Sequence, residues 1–169
     1  MSYNDKTIPN NIFSIKKLIS FAIVIFIFIS DRVSKIHIIN NHSDAQSTFV
    51  NNFLNFDLVW NTGIGFGLLD LEANFFYHAI SFLIFIIILV IFFILIMCKN
   101  IEMFYYSMIL GGALGNFYDR AVFFAVPDFI DLHINNYHWF TFNIADIFIS
   151  IGILLILLRQ LIIGKNEKN

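Results

Sequence analysis

The stretch FNIADIFISIGILLILL, from Phe142 to Leu158, is almost entirely apolar, but polar residues stand near its start. Asn143 and Asp146 are three residues apart, so they share one face of any helix that contains both. A carboxylate at the centre of a membrane helix costs roughly 2.5–3.5 kcal/mol on insertion scales, and less near the interface. If this stretch is a membrane helix, Asp146 needs polar partners from another part of the chain.

The composition of the whole chain is typical of an integral membrane protein. Of 169 residues, 59% are hydrophobic and 13% are charged, whereas roughly a quarter are charged in globular proteins. The net charge is −2 and there is no basic run, which argues against a nucleic-acid partner. The single cysteine, Cys98, excludes a disulfide framework or a thiolate metal site. The length fits one domain, residues 1–169.

Four apolar segments are predicted to be transmembrane helices, at about residues 17–39, 75–98, 101–123 and 142–163. Each is close to the ~20 residues that cross a ~30 Å hydrocarbon core. The first segment continues into SDRVSK instead of a small-residue cleavage site, which favours a retained helix over a signal peptide. The expected fold class is an all-α membrane protein.

The lysines predict the orientation of these helices. Lys6, Lys16 and Lys17 stand before or at the start of the first helix, Lys99 separates the second from the third, and Lys165 and Lys168 follow the fourth. The connections at about 40–74 and 124–141 contain no Lys or Arg. The positive-inside rule therefore places both termini in the cytoplasm and both connections outside.

The outer connections differ in their predicted structure. In 40–74, β-branched and aromatic residues broken by Asn and Gly predict one or two short strands, with a tight turn at residues 61–63. Phe66, Leu68 and Leu69 form an apolar patch that is expected to lie on the membrane surface. Asp131, in the second connection, is expected in a solvated loop.

Polar residues from every segment gather near the predicted outer surface. Asp31 and Lys35 are four apart with the acid first, which favours an ion pair within the helix. Ionisable residues in membrane segments are candidate functional groups, so the set predicts a shared polar pocket. The set comprises Asp31, Lys35, Asn61, Asn116, Asp119, Arg120, Asp128, Asn143 and Asp146. Close by, Gly111 and Gly115 form a GxxxG pattern that predicts close helix packing.

Carboxylates are the candidate catalytic groups, because the chain has neither a G-x-S-x-G nor an HExxH motif. Two neighbouring carboxylates can share a proton, so that one activates water while the other donates. Asp119 directly precedes Arg120 and could be held in a hydrogen-bonded network, which favours Asp128 with Asp146. From these residues alone, a catalytic pair of Asp119 and Asp146 remains an alternative. His133 and His138 flank the region and are assigned a structural or interfacial role.

Five sequence blocks resemble the bacterial lipoprotein signal peptidases, also called signal peptidase II. The blocks are SDRVSK, VWNTGIGFGLL, GGALGNFYDR, VPDFIDL and FNIAD. Together they are specific, because they occur in the family's order over nearly the whole chain. Two positions depart from the pattern: Gly65 stands where Ala is usual, and Pro127 stands before Asp128 where an aliphatic residue is common.

The resemblance implies an intramembrane aspartyl endopeptidase that cleaves diacylglyceryl-modified prolipoproteins before the lipidated cysteine. The family's catalytic pair falls on Asp128 and Asp146. Residues at the other matching positions are expected to bind substrate or support the pocket: Asp31, Lys35, Asn61, Gly63, Asn116, Asp119, Arg120 and Asn143. The family fold adds a small extracytoplasmic β cradle and a surface helix, both expected from 40–74. No cofactor or metal is expected.

The implied setting is the bacterial inner membrane, with lipids and prolipoproteins as partners and a monomeric enzyme. Two other functions use the same carboxylates. One is a small transporter or proton pathway, although the cytoplasmic halves lack polar residues to complete a path. The other is a metal-dependent lipid transferase with the aspartates as Mg²⁺ ligands.

Overall fold

The computed structural model of the chain describes residues 15–41, 47–63, 75–135 and 137–166. Within these ranges the fold is mostly helical, with a small antiparallel sheet. The elements in chain order are α1 (Ile15–Asn41), β1 (Thr48–Asn51), β2 (Leu54–Asn61), α2 (Phe75–Met97), α3 (Glu102–Phe123), β3 (Val126–Ile134), β4 (Tyr137–Phe142) and α4 (Ile144–Asn166). The four helices fall in the four apolar segments of the sequence.

Two of the described helices, α2 and α4, are long and apolar enough to cross a membrane, over Tyr77–Met97 and Ile144–Gly164. The helices α1 and α3 are less apolar because each carries several charged residues. In α1 these include Asp31, Arg32 and Lys35, all of which are buried. The apolar composition of the described helices thus supports two membrane spans directly.

Helix α3 is the centre of the bundle and packs against each of the other three helices. Its glycines permit this contact. A Cβ on Gly111 would lie 2.9 Å from Ile27 Cβ of α1, and one on Gly115 would lie 2.5 Å from Asp31 Oδ2. A Cβ on Gly112 would lie 2.5 Å from the backbone carbonyl oxygen of Ala145 in α4. The close helix packing predicted at Gly111 and Gly115 is therefore confirmed, and Gly112 adds a close contact to α4.

Replacing Gly112 with alanine is expected to lower the melting temperature, because the contacting atom is backbone and cannot rotate away. Overpacking of this kind costs about 1–3 kcal/mol. Gly164→Ala is the matched control: no atom of the described part of the chain lies within 4 Å of its added Cβ, and alanine favours a helix by about 1 kcal/mol over glycine. The measurement is the melting temperature of the Gly112→Ala and Gly164→Ala variants in detergent. Equal melting temperatures would contradict this packing.

The sheet has four antiparallel strands in the order β1-β2-β3-β4. The strands predicted in 40–74 are confirmed as β1 and β2, but the expectation that this connection supplies the whole sheet is wrong. Half of it is the β3–β4 hairpin, because VPDFIDLHI and YHWFTF pair around a turn in which Asn135 has a φ of 54°. The solvated loop expected at Asp131 is also wrong, since Asp131 lies in β3 and is 4% exposed.

A buried cluster fixes the sheet to the helix ends. Ile38 of α1, Leu58 of β2, and Phe129 and Ile130 of β3 form this cluster, and Ile147 of α4 packs against it. Helix α3 ends at Phe123, and the next residue, Phe124, has a φ of 56° in the left-handed region, so the chain turns sharply into β3. This connection places the middle of β3 beside the start of α4.

One group of expectations falls outside the described residues. It comprises the surface helix and the apolar patch at Phe66, Leu68 and Leu69, together with the departure at Gly65. The other departure, Pro127, is accommodated near the start of β3, where it is fully buried opposite Trp60.

Candidate active site

Asp128 lies in β3 and is 2% exposed. Both of its carboxylate oxygens accept hydrogen bonds: Oδ2 from Asn61 Nδ2 at 2.8 Å and Oδ1 from Asn143 Nδ2 at 2.5 Å. Burial raises the pKa of Asp128 to about 6, and the charge of Asp146 acts in the same direction, while the two hydrogen bonds oppose the rise. Asp128 therefore holds a proton in mildly acidic conditions where an ordinary aspartate does not.

Asp146 is the third residue of α4 and takes part in the cap of that helix. The Oδ1 of Asn143 accepts the Asp146 backbone N–H at 3.0 Å, and Asp146 Oδ2 accepts the Asn143 backbone N–H at 3.2 Å. This reciprocal pair is a capping box. The remaining oxygen, Asp146 Oδ1, accepts a hydrogen bond from Asn116 Nδ2 at 2.7 Å. Asn143 thus contacts both Asp128 and Asp146, which joins the two carboxylates.

A separate ion cluster surrounds Lys35, which is fully buried. Its Nζ donates to Asp31 Oδ2 at 2.8 Å, to Asp119 Oδ2 at 2.7 Å and to Asn116 Oδ1 at 2.9 Å. Arg32 forms an ion pair with the other oxygen of Asp119. The predicted ion pair between Asp31 and Lys35 is confirmed. Two cations here balance two carboxylates, so the cluster is neutral.

The ion cluster also holds the start of α4. Asp31 Oδ1 accepts the backbone N–H of Ala145 at 3.0 Å. A carboxylate is favourable at this position, because the first N–H groups of a helix have no partner within the helix and carry partial positive charge. Asp31 therefore fixes α1 to the helix that carries Asp146.

Arg120 follows Asp119 directly in sequence, but its guanidinium group binds backbone carbonyl oxygens. Its Nη2 donates to the carbonyl oxygen of Gly63 at 3.2 Å, and its Nη1 donates to that of Asn116 at 3.3 Å. The Gly63 N–H in turn donates to Asn61 Oδ1 at 3.0 Å, which confirms the predicted turn. The partners of Asp119 are Lys35 and Arg32, so a network around Asp119 exists but is formed with α1.

Every predicted site residue lies in this connected arrangement. Asp128 and Asp146 are linked through Asn143, and Asn116 links Asp146 to Lys35. Sequence reasoning missed Arg32 and also Tyr77, whose hydroxyl donates to the carbonyl oxygen of Arg120 at 3.2 Å. For Arg32 a signal was present, since it is a charged residue within a predicted membrane helix.

An apolar cavity of about 250 Å³ adjoins Asp146. Asp146 lines it together with Leu132, Phe142 and Ile147. An apolar cavity beside a carboxylate allows an apolar group and a polar bond of one ligand to occupy neighbouring positions.

In a mostly helical fold with an apolar exterior, the buried carboxylate of Asp128 and the partly exposed carboxylate of Asp146 share a hydrogen-bond partner, Asn143. This is an arrangement of the aspartic-peptidase type. The family model described as signal peptidase (SPase) II matches residues 23–162. The chain therefore belongs to the signal peptidase II family and is an aspartic peptidase.

Curated relatives carry the same family name. A lipoprotein signal peptidase of Pelagibacter ubique is 43% identical over 156 residues, which are 89% of this chain and 94% of that protein. A lipoprotein signal peptidase of Francisella tularensis subsp. novicida is 36% identical over 156 residues, with 89% and 96% covered.

Solved structures of two bacterial membrane enzymes have the same fold. One, determined by the in meso method at 2.3 Å resolution, is 32% identical with a TM-score of 0.76, and the match covers 87% of this chain and 90% of that chain. The other, at 1.9 Å resolution, is 33% identical with a TM-score of 0.70, and 84% and 92% are covered.

Proposed function

We propose that this peptidase removes signal peptides from diacylglyceryl-modified prolipoproteins, cutting before the lipidated cysteine, with Asp128 and Asp146 as its catalytic pair. The observation that carries the proposal is that Asn143 hydrogen-bonds to both carboxylates. Neither carboxylate belongs to the ion cluster around Lys35, so both are available for proton transfer.

In the proposed mechanism the pair holds a water molecule and shares one proton. The ionised carboxylate takes a proton from this water as its oxygen attacks the scissile carbonyl carbon. The protonated carboxylate donates a hydrogen bond to the carbonyl oxygen, and a proton then passes to the leaving nitrogen as the C–N bond breaks. Asp128 is suited to carry the shared proton, because burial raises its pKa to about 6. The pair titrates as a unit.

The asparagines around the pair have a positioning role in this mechanism. Asn61 and Asn143 hold the two oxygens of Asp128, and Asn116 holds one oxygen of Asp146. Both carboxylates are thereby oriented before substrate arrives, which reduces the reorganisation needed in the transition state.

We also propose that residues 1–169 form one membrane domain with four transmembrane helices, both termini in the cytoplasm and the site at the extracytoplasmic face. The exposure pattern of α1 supports this. Asp31 and Lys35 are fully buried, whereas Phe26, Ile29 and Val33 are 52–66% exposed. The charges of α1 thus face the bundle and its apolar side faces outward, as lipid requires.

The substrate would then approach from the lipid. Its acyl chains would lie against the helices, and the cavity beside Asp146 offers an apolar space next to the scissile bond. The site residues all come from one chain, so a monomer in the bacterial inner membrane, surrounded by lipid, suffices for activity.

The test is cleavage of a diacylglyceryl-modified prolipoprotein by purified protein in detergent, with EDTA present. Wild type is expected to cut before the lipidated cysteine. Asp146→Asn is expected to be slower by about 10²–10⁴-fold, because the amide cannot exchange a proton with water. Asp57→Asn, which changes a part-exposed carboxylate of β2, is the matched control and should cleave like wild type.

Each other outcome of this assay contradicts part of the proposal. No cleavage by folded wild type would favour the transport function. Cleavage that stops in EDTA would favour metal-dependent chemistry. Normal cleavage by Asp146→Asn would remove that residue from the catalytic pair.

A further inference from the structure

We propose that Asp131, His133 and His138 form a binding site for a divalent transition metal, of which zinc is the best match, on the β3–β4 hairpin. Asp131 and His133 are two residues apart in β3, so both side chains project from the same face of the sheet. His138 of β4 pairs directly with His133 across the strands. The hairpin therefore brings two imidazoles and one carboxylate together.

The distances between these groups suit a common ligand. His138 Nδ1 lies 2.7 Å from Asp131 Oδ2, and His133 Nδ1 lies 3.9 Å from the same oxygen. All three ligand atoms lie within 4.8 Å of one another. Zinc bonds of about 2.1 Å in tetrahedral geometry separate ligand atoms by about 3.4 Å. The two measured separations lie on either side of this value, so small side-chain rotations would complete the site.

Two buried atoms beside Asp131 have no hydrogen-bond partner among the residues that the structure describes. His133 is 8% exposed, and its Nδ1, which faces Asp131, is one of them. Asn55 Oδ1 is the other, while the Nδ2 of Asn55 donates to Asp131 Oδ2 at 3.3 Å. An unsatisfied buried polar atom costs about 1–3 kcal/mol. A bound cation would take up the lone pair of His133 Nδ1 and provides a reason for leaving it unpaired.

The chemistry of the donor set selects the metal. Two imidazole nitrogens and one carboxylate oxygen suit zinc and its neighbours, whereas Mg²⁺ and Ca²⁺ prefer oxygen ligands alone. The side chain of His138 is 55% exposed, which gives a metal ion access from solution and leaves space for a water ligand. If His138 Nδ1 carries the proton in its bond to Asp131, the metal replaces that proton, which passes to solvent.

This site is distinct from the catalytic carboxylates. Asp128 is three residues before Asp131 in the same strand, so the two side chains project from opposite faces of the sheet. In this site His133 and His138 are metal ligands, a role beyond the structural or interfacial one that their sequence positions indicate. A metal there would cross-link β3 to β4 and stiffen the strand that carries Asp128.

The test is metal titration of tag-free protein in detergent, after removal of metals with EDTA and exchange into metal-free buffer. Zn²⁺ binding is measured by calorimetry, and Co²⁺ binding by visible absorption. Wild type is expected to bind one ion per chain. His138→Ala, which changes a half-exposed side chain and should stay folded, is expected to bind at least about tenfold more weakly and to lose the Co²⁺ bands.

Two controls make the result specific. His37→Ala removes an exposed histidine of α1 and should bind as wild type does. Asp128→Asn should also bind normally, because the catalytic carboxylates lie outside the site. Absence of binding by wild type, unchanged affinity in folded His138→Ala, or loss of binding in Asp128→Asn would each overturn the proposal.

Discussion

Asp128→Asn is expected to reduce cleavage by at least about a thousandfold while the protein stays folded. The amide keeps the shape of the carboxylate but cannot carry the shared proton. Asn61 and Asn143 both donate to Asp128, so the new NH₂ group would face a donor and one hydrogen bond would be lost. The measurement is the initial cleavage rate, together with the melting temperature of the same preparation.

The stability of this variant should depend on pH differently from that of wild type. The pKa of Asp128 is about 6 in the folded protein and near 4 in an unfolded chain. Between these values the folded state binds a proton that the unfolded state does not, so the stability of wild type falls as pH rises through this window. The loss is about 3 kcal/mol, and Asp128→Asn should not show it. Parallel curves of melting temperature against pH for the two proteins would contradict this assignment.

The same assay decides between the two carboxylate pairs that the sequence leaves open. Asp119 is occupied by Lys35 and Arg32, so Asp119→Asn is expected to affect stability more than chemistry. Full activity in folded Asp128→Asn, with loss of activity in folded Asp119→Asn, would select Asp119 with Asp146 instead.

Lys35→Met is expected to be the most destabilising of these substitutions. The ammonium group is fully buried and donates to Asp31, Asn116 and Asp119. Without it, two buried carboxylates are left with Arg32 as the remaining cation of the cluster. Breaking a buried ion pair in this way costs about 3–5 kcal/mol, so a large fall in the unfolding midpoint in detergent is expected.

Lys16→Met is the matched control for this change. Lys16 is exposed at the start of α1, and surface substitutions are usually within about 0.5 kcal/mol of wild type. If the two lysine variants unfold at the same midpoint, the ion cluster does not stabilise the bundle as described.

The parts of the site that could be predicted from sequence are those that depend on local spacing. The separation of Asp31 and Lys35 by one helical turn predicts their ion pair, and the spacing of Asn143 and Asp146 predicts a shared face. The contact between Asp119 and α1 could not be predicted in this way. It depends on how closely α1 and α3 approach at Gly115, where Asp31 occupies the space of a missing side chain.

The sheet shows a second limit. In the sequence, the main signal of the β3–β4 segment is its lack of Lys and Arg, which predicts orientation but not local structure. Its strand pairing depends on β2, which is far away in sequence and lies opposite Asp128 and Val126. For the same reason the burial of Asp131 between Asn55 and His138 could not be derived from the sequence around it.

The bond from Asp31 to Ala145 has a consequence for biosynthesis. Asp31 lies in the first described helix, α1, and Ala145 lies in the last, α4. The position of Asp146, in α4, therefore depends on a contact between the two ends of the described chain. A ribosome makes the chain from its amino terminus, so α1, α2 and α3 are made while the site is still incomplete. The two carboxylates can meet only after α4 has been made, so a chain that stops short of α4 has Asp128 without Asp146.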